Sequence, residues 1–101
     1  MNTLEILTAA RAKIADEKNW CQGAFAENEY SISVSAISDV ACSWCSIGAL
    51  RSIAGNDFIA YNSAMNYLSE SMNYPILDYN DSRTHSEVMA AWDKAIAECI
   101  G

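Results

Sequence analysis

Basic residues are scarce in this sequence. Six lysines and arginines stand against thirteen aspartates and glutamates, which gives a formal net charge of -7 at pH 7. Proteins that bind nucleic acid neutralise phosphates with clustered lysine and arginine, and the chain has no basic stripe. The charge balance therefore argues against direct nucleic-acid binding and favours solubility.

Long apolar runs are also missing. Charged residues interrupt the N-terminal segment "MNTLEILTAARAKIADEK" every few positions, so it has neither the apolar core of a signal peptide nor the length of a membrane span. We expect a cytoplasmic protein with no membrane partner. In that compartment cysteines are reduced, so we expect free thiols at Cys21, Cys42, Cys45 and Cys99.

The sequence lacks a glycine-rich or serine-rich linker, and it contains one proline and one histidine. Its 101 residues suit one domain over residues 1–101. It also lacks a phosphate-binding loop, a dinucleotide fingerprint and a serine-hydrolase elbow. We therefore predict no cofactor.

Apolar residues recur at helical spacing in four segments. Asn2 with Glu5, and Thr84 with Glu87, have the spacing of capping boxes at the starts of the first and last helices. The predicted helices are Thr3 to Lys18, Ser38 to Ala54 with Gly55 as its stop, Asn56 or Asp57 to the residues before Pro75, and a last helix from Thr84.

The fold class that follows is all-α, a four-helix-bundle-like arrangement. Between the first two helices, Tyr30, Ile32 and Val34 alternate with serines, a pattern that leaves room for a short irregular or β segment. We expect the second helix at the centre of the bundle, because it is apolar around much of its circumference. The segment "PILDYNDSR" is predicted to be a loop.

Trp-Cys precedes Gly-Ala twice, in "NWCQGAFA" and in "SWCSIGAL". Indole rings need close neighbours with small side chains, and Gly23-Ala24 and Gly48-Ala49 offer backbone surfaces of that kind. The adjacent cysteines then act as small apolar fillers. We expect packing rather than cysteine chemistry to explain the repeat.

Cys42 and Cys45 have the C-x-x-C spacing of a metal or redox pair. A zinc site needs about four ligands, and a thioredoxin-like pair needs a strand and helix context that this pattern lacks. We therefore predict no metal site.

Cys21 and His85, with Asp81 or Asn80, have the residue types of a nucleophile, its base and an orienting group. No active-site signature surrounds them. A cysteine-dependent hydrolase or transferase that uses Cys21 and His85 is therefore an alternative, and we name no catalytic residues.

Polar residues gather in "LDYNDSRTHSE" at the start of the last helix. An Asx-type turn that satisfies free helix amides explains Asn80 and Asp81, and a recognition loop is the alternative. Calcium is not expected, because the glycine and distal glutamate of an EF-hand are missing. The candidate partner-binding residues are Asp78, Asn80, Asp81, Arg83 and His85.

Three blocks, "WCQGA", "WCSIGAL" and "YNDSRTHSEVMAAWDKAIA", follow the first helix "LEILTAARAKIA". In this order they resemble an uncharacterised family of small helical bacterial and phage proteins, a domain of unknown function with W-C-x-G-A, W-C-x-x-G-A-L and N-D-x-x-T-x-x-E-V blocks. The resemblance covers most of the chain except Glu27 to Val40 and implies no mechanism. The family's pattern falls on Trp20, Cys21, Gly23, Trp44, Cys45, Gly48, Asn80, Asp81, Thr84 and Glu87.

These observations favour a macromolecular interaction module. We expect it to dock on a protein or a basic nucleic-acid-binding complex through its acidic surface and the segment from Asp78 to His85. Resemblance to phage-borne sequences fits an inhibitor encoded by a phage or mobile element, including one of anti-CRISPR type. The alternatives are the cysteine enzyme and a structural homodimer that pairs through the apolar stripe from Phe58 to Met72.

Overall fold

The computed structural model of the protein describes residues 1–101 and contains five helices and a small sheet. The helices are α1 (Thr3–Lys13), α2 (Ser46–Ala54), α3 (Phe58–Met72), α4 (Ile76–Ser82) and α5 (His85–Ile100). The strands are β1 (Ala26–Glu27), β2 (Ser33–Val34) and β3 (Ser43–Trp44), and a 3-10 turn spans Glu17–Asn19. The fold is mostly helical, as predicted, but a fifth helix and a three-stranded sheet distinguish it from an all-α four-helix arrangement.

The sheet is antiparallel with strand order β2-β1-β3. Ala26 of β1 pairs with Val34 of β2 on one side and with Trp44 of β3 on the other. The reversal between β1 and β2 is held by Asn28, whose side-chain oxygen accepts hydrogen bonds from the amides of Tyr30 and Ile32. A β segment between the first two helices was therefore anticipated, although its partner strands were not.

Both capping boxes are confirmed. The Asn2 side chain accepts from the Glu5 amide while the Glu5 carboxylate accepts from the Asn2 amide, and Thr84 and Glu87 do the same at the start of α5. Helix α1 ends at Lys13 rather than at Lys18. It ends early because Asp16 accepts from the Lys18 amide and starts the separate 3-10 turn.

Helix α2 begins at Ser46, eight residues later than predicted, because the preceding residues join the sheet as β3. It ends at Gly55 as expected. Helix α3 also follows the prediction: Asp57 caps its first turn, and Asn73 ends it in a left-handed conformation before Pro75.

The segment predicted as a loop, "PILDYNDSR", is helix α4 from Ile76 to Ser82. Pro75 stands at its N-cap, where a missing amide hydrogen costs nothing. Ile76 and Asn80 lie one turn apart and are both buried. Tertiary burial of this face outweighs the preference of Asp and Asn for turns.

The hydrophobic core is built by α1, α2, α3 and α5, with one residue from α4. Trp92 of α5 is its largest fully buried side chain. Helix α2 contacts α1, α3, α4 and β3. None of the helices has the length and apolar character needed to cross a membrane.

Candidate functional site

A buried polar network surrounds Asn80, whose side chain is fully inaccessible to solvent. Its Oδ1 atom accepts hydrogen bonds from Trp20 Nε1 at 2.9 Å, Ser46 Oγ at 2.8 Å and the Ser46 amide at 3.0 Å. Its Nδ2 atom donates to the Cys21 carbonyl at 3.1 Å and to Asp81 Oδ1 at 3.0 Å. One amide group therefore satisfies polar atoms from three separate parts of the chain.

The network continues to α5 through Ser46. The Ser46 hydroxyl donates to Asn80 and accepts from Trp92 Nε1 at 3.1 Å. Because both the serine and the tryptophan ring are buried, each bond replaces a contact with water that folding removes. The indole N–H groups of Trp20 and Trp92 are thus satisfied by Asn80 and Ser46, respectively.

The segment before the sheet is tied to α4 by further hydrogen bonds. Gln22 Nε2 donates to the carbonyls of Asn80 and Arg83, each at 3.0 Å. The Gly23 amide donates to Asp81 Oδ1 at 3.1 Å. These bonds make one structural unit of two segments. One is the first Trp-Cys block, and the other is α4, which was predicted to be a loop.

The two Trp-Cys-Gly-Ala blocks use their glycines differently from our expectation. Gly23 adopts a φ of 80°, which makes a turn, and open space surrounds the position of its missing Cβ. Gly48 instead lies against the Phe25 backbone, where a methyl group would overlap the Phe25 carbonyl oxygen. Glycine is therefore required at Gly48 for close backbone approach, but the approaching group is a carbonyl and not an indole ring.

The cysteines are all free, as expected, and two of them are buried. Cys45 is fully buried, and its sulfur accepts from the Gly48 amide at 3.3 Å, so it caps α2. Cys42 is exposed, and Cys99 is half-buried on α5. The structure contains no group of three His, Cys, Asp or Glu side chains that could hold a metal ion.

Neither Cys21 nor His85 has the features of an activated nucleophile or its base. Burial is the main cause that raises the pKa of the Cys21 thiol to about 11, so it is protonated at neutral pH. The His85 ring lies 5.3 Å from the Trp20 ring, and its Nε2 donates to the Ile14 carbonyl at 2.7 Å. These contacts give His85 a packing role between α5 and the end of α1.

The five candidate partner-binding residues, at the end of α4 and the start of α5, differ in their exposure to solvent. Asn80 is buried inside the network, and His85 is half-buried against Trp20. Asp78, Asp81 and Arg83 are exposed. The expectation of a shared recognition surface is therefore wrong for Asn80, which faces the protein interior because only there can its amide meet all its partners.

An apolar cavity lies beside α4, and sequence reasoning missed it. Its volume is about 460 Å³. Leu77 of α4 contributes to it together with residues of α2, α3 and the sheet region. The lining residues are Phe25, Ser35, Ala36, Ile37, Ile47, Gly48, Arg51, Tyr61 and Leu77.

Two shallower cavities continue this surface, and both share Leu77. One, of about 310 Å³, extends from Ile47 toward Met65 and Pro75. The other, of about 360 Å³, extends from Phe25 toward Asp81 and includes Leu77. We call the three together the Leu77 groove. Phe25, Ile37 and Leu77 around it are 51%, 57% and 39% exposed.

The signal that could have revealed the groove is the position of these apolar residues. Phe25 and Ile37 fall in segments without helical spacing, and Leu77 falls in the segment predicted as a loop. Large apolar side chains in such segments have no amphipathic face to join.

The apolar stripe from Phe58 to Met72 was the predicted surface of a homodimer. Two of its residues, Leu68 and Met72, are buried within the chain.

Comparison with known proteins defines the class of the chain. Residues 1–98 match the model of a family of unknown function, DUF6197, and the protein belongs to that family. The expected membership of an uncharacterised family is thus confirmed. No curated protein and no solved structure shows significant similarity to the chain.

Proposed function

We propose that this protein is a protein-interaction module whose docking surface is the Leu77 groove. The observation that carries the proposal is the exposure of Phe25, Ile37 and Leu77 around a cavity with a mostly apolar lining. Large apolar side chains grouped on the surface of a soluble protein mark sites where another molecule binds.

The energetic reason is the apolar area that a partner would remove from water. Complete burial of a Leu, Ile or Phe side chain is worth about 1.5 to 3 kcal/mol. Since about half of the Phe25 and Ile37 surface is exposed, docking would gain the corresponding part of that amount at each. An apolar anchor that enters the cavity between them would add its own burial, as anchors of binding energy do in other interfaces.

The extent of the groove favours a protein segment as the occupant. The central cavity has the volume of a small-molecule site, but its apolar walls continue into the two neighbouring cavities through Ile47, Phe25 and Leu77. A surface that extends in two directions from one central residue suits a chain with successive side chains better than one compact ligand.

The narrower expectation, an inhibitor from a phage or mobile element that docks on a basic complex, is supported by the net charge of -7 alone. Within the proposal it adds one property that can be measured. Association with a basic complex should be fast at low ionic strength and should slow as salt rises.

The test uses three forms of the protein as bait in a lysate of the source cell: wild type, Leu77→Asp and Ile59→Asp. Ile59 is 87% exposed on α3 and does not line the groove, so it is the matched control. We expect partner proteins to be retained by wild type and by Ile59→Asp and to be lost from Leu77→Asp. Quantitative mass spectrometry measures retention.

Leu77 is part-exposed at the surface of α4, so its substitution should leave the fold intact, and far-UV circular dichroism verifies this. Equal retention by all three baits would show that the groove is not the docking surface. Loss from both variants would point instead to a general effect of added negative charge.

A further inference from the structure

Resting on the proposed function, we infer that the segment that docks in the Leu77 groove carries an apolar anchor side chain with lysine or arginine next to it. The inference follows from the charges around the groove. Two carboxylates, Asp78 and Asp81, stand beside Leu77 on α4, and neither forms an ion pair within the chain.

The position of Asp81 is set by the fold. It lies one helical turn after Leu77, on the same face of α4, and with Phe25 and Leu77 it lines one of the shallower cavities. Its Oδ1 atom accepts from the Gly23 amide and from Asn80 Nδ2. The carboxylate is therefore oriented before any partner arrives, which lowers the entropic cost of a new ion pair.

Asp78 directly follows Leu77 and is exposed. Its side chain makes no hydrogen bond within the chain, whereas the three ion pairs of the protein use Asp93, Asp16 and Glu87. Of the two carboxylates, Asp81 lines the groove, and its Oδ2 atom accepts no hydrogen bond within the chain. A cation near the anchor could pair with Asp81, while Asp78, on a neighbouring face of α4, adds negative charge at longer range.

Arg51 is the one charged residue that lines the central cavity, and its sign is opposite. Its guanidinium already donates to the Gly55 carbonyl and stacks 5.5 Å from the centre of the Phe58 ring. It also stands in the last turn of α2, where the partial negative charge of the helix end favours a cation. Arg51 thus has partners for its charge within the chain, whereas the Asp78 carboxylate has no hydrogen-bond donor or cation there and the Asp81 carboxylate has donors but no cation.

The whole molecule adds to the local effect. With a net charge of -7, the protein attracts basic segments over distances up to about one Debye length, ~10 Å at moderate salt. The groove supplies the apolar anchor site and α4 supplies the matching charges. Together these features favour a basic amphipathic segment over a neutral or acidic one.

The experiment uses three fluorescein-labelled amphipathic peptides with the same leucine face. All their remaining positions are Lys in the first peptide, Gln in the second and Glu in the third. Fluorescence anisotropy measures their binding to wild type, Leu77→Asp, Asp81→Asn and Glu98→Gln at low salt; Asp81→Asn keeps an Oδ1 acceptor for its bonds within the chain and removes the charge. Glu98→Gln removes the same charge from an exposed site on α5 outside the groove, so it is the matched control.

We expect the Lys peptide to bind wild type about five-fold or more tighter than the Gln peptide, and the Glu peptide to bind most weakly. Asp81→Asn should weaken binding of the Lys peptide about two- to five-fold, and Glu98→Gln should weaken it less. Salt at ~0.5 M should remove the preference for lysine. Leu77→Asp should weaken binding of the Gln peptide. This peptide has no positive charge that could pair with the new aspartate and offset the lost apolar contact.

The outcomes separate the two proposals. If all three peptides bind equally and depend on Leu77, the charge inference fails and the docking surface stands. If the Glu peptide binds best, the inference is overturned in favour of an anion at Arg51. If Leu77→Asp leaves the binding of all three peptides unchanged, the groove itself is not the binding surface.

Discussion

Cys21 is 7% exposed, and burial raises the pKa of its thiol to about 11. At neutral pH such a thiol is protonated and a poor nucleophile. Its sulfur donates to the Ala24 carbonyl at 3.6 Å, a contact within the turn that leads to β1. The side chain is therefore buried within this turn and is not available as a nucleophile.

We predict that iodoacetamide at neutral pH modifies Cys42 in the native protein while Cys21 and Cys45 stay protected until the chain unfolds. Cys42 is exposed and the other two are buried, and alkylation requires both access and thiolate character. Peptide mass spectrometry after brief labelling, with and without denaturant, measures the order. Modification of Cys21 as rapid as that of Cys42 would favour the cysteine enzyme instead.

Asn80 shows how little residue type alone says about a role. The sequence placed it among polar neighbours as a turn former or a partner contact, and the structure buries it completely. The difference depends on Trp20 and Ser46, which lie 60 and 34 positions away along the chain. No local pattern contains that information.

Among the elements, α2 depends most on a single close contact. Gly48 is buried on α2, and the carbonyl oxygen of Phe25 fills the space where a side chain would stand. The same oxygen accepts a hydrogen bond from the Cys45 amide at 3.1 Å. The start of α2 and the residue before β1 are thus locked together.

We predict that Gly48→Ala destabilises the protein by about 3 kcal/mol, because the new methyl group must displace backbone. Helix propensity alone would give the opposite sign, a gain of about 1 kcal/mol. Gly23→Ala is the matched control: φ there is 80°, but the space is open, so a loss of about 1 to 2 kcal/mol is expected.

Urea unfolding of both variants measures the difference. A loss for Gly48→Ala no larger than that for Gly23→Ala would mean that the Phe25 carbonyl can move aside at little cost. The contact between α2 and the segment before β1 would then not be decisive for the position of the helix.

Helix α4 shows why one element was misassigned. Asp and Asn favour turns when their side chains bond to nearby backbone, and "LDYNDS" contains three such residues. In the fold, Asn80 bonds to distant groups and Ile76 enters the core, so the segment gains more as a helix. Its helical form places Leu77 and Asp81 on one face and so creates the groove.

For the molecule as a whole, the polar network around Asn80 joins three helices of the hydrophobic core, α2, α4 and α5, to the residues that precede the sheet. The sheet region contributes few buried apolar side chains, with Ala26 the one buried strand residue of that type. The stability of the sheet region therefore depends on the polar network around Asn80.

We predict that Asn80→Ala lowers the free energy of unfolding by about 3 kcal/mol or more, because it leaves several buried polar groups without partners. The loss should be seen equally by tryptophan fluorescence, which reports on Trp20, Trp44 and Trp92, and by far-UV circular dichroism, which reports on the helices. Urea titration with both probes measures it.

Asn66→Ala is the control, since Asn66 is exposed on α3, and its effect should be within about 0.5 kcal/mol. A fluorescence transition that moves to lower urea while the helical signal stays unchanged would contradict the prediction. It would show that the network holds the sheet region but not the helical core.

The candidate site was predictable from sequence only in part. Net charge and the polar residues from Asp78 to His85 led to the prediction of an acidic interaction surface around this segment. Of its residues, Asp81 lines the groove, whereas Asn80 belongs to the interior. Phe25 and Ile37 were overlooked, because pairing of two-residue strands brings them beside α4 and such short strands leave almost no periodic signal.

What the sequence determined by itself is local: the capping boxes at Asn2 and Thr84, the stop at Gly55, the limit before Pro75, the apolar faces of the long helices and the acidic balance. Each depends on residues within a few positions of one another. Only the tertiary structure decided the sheet, helix α4, the burial of Asn80 and the groove. These depend on contacts between residues far apart in the chain, whose hydrogen-bond and burial energies outweigh local preference.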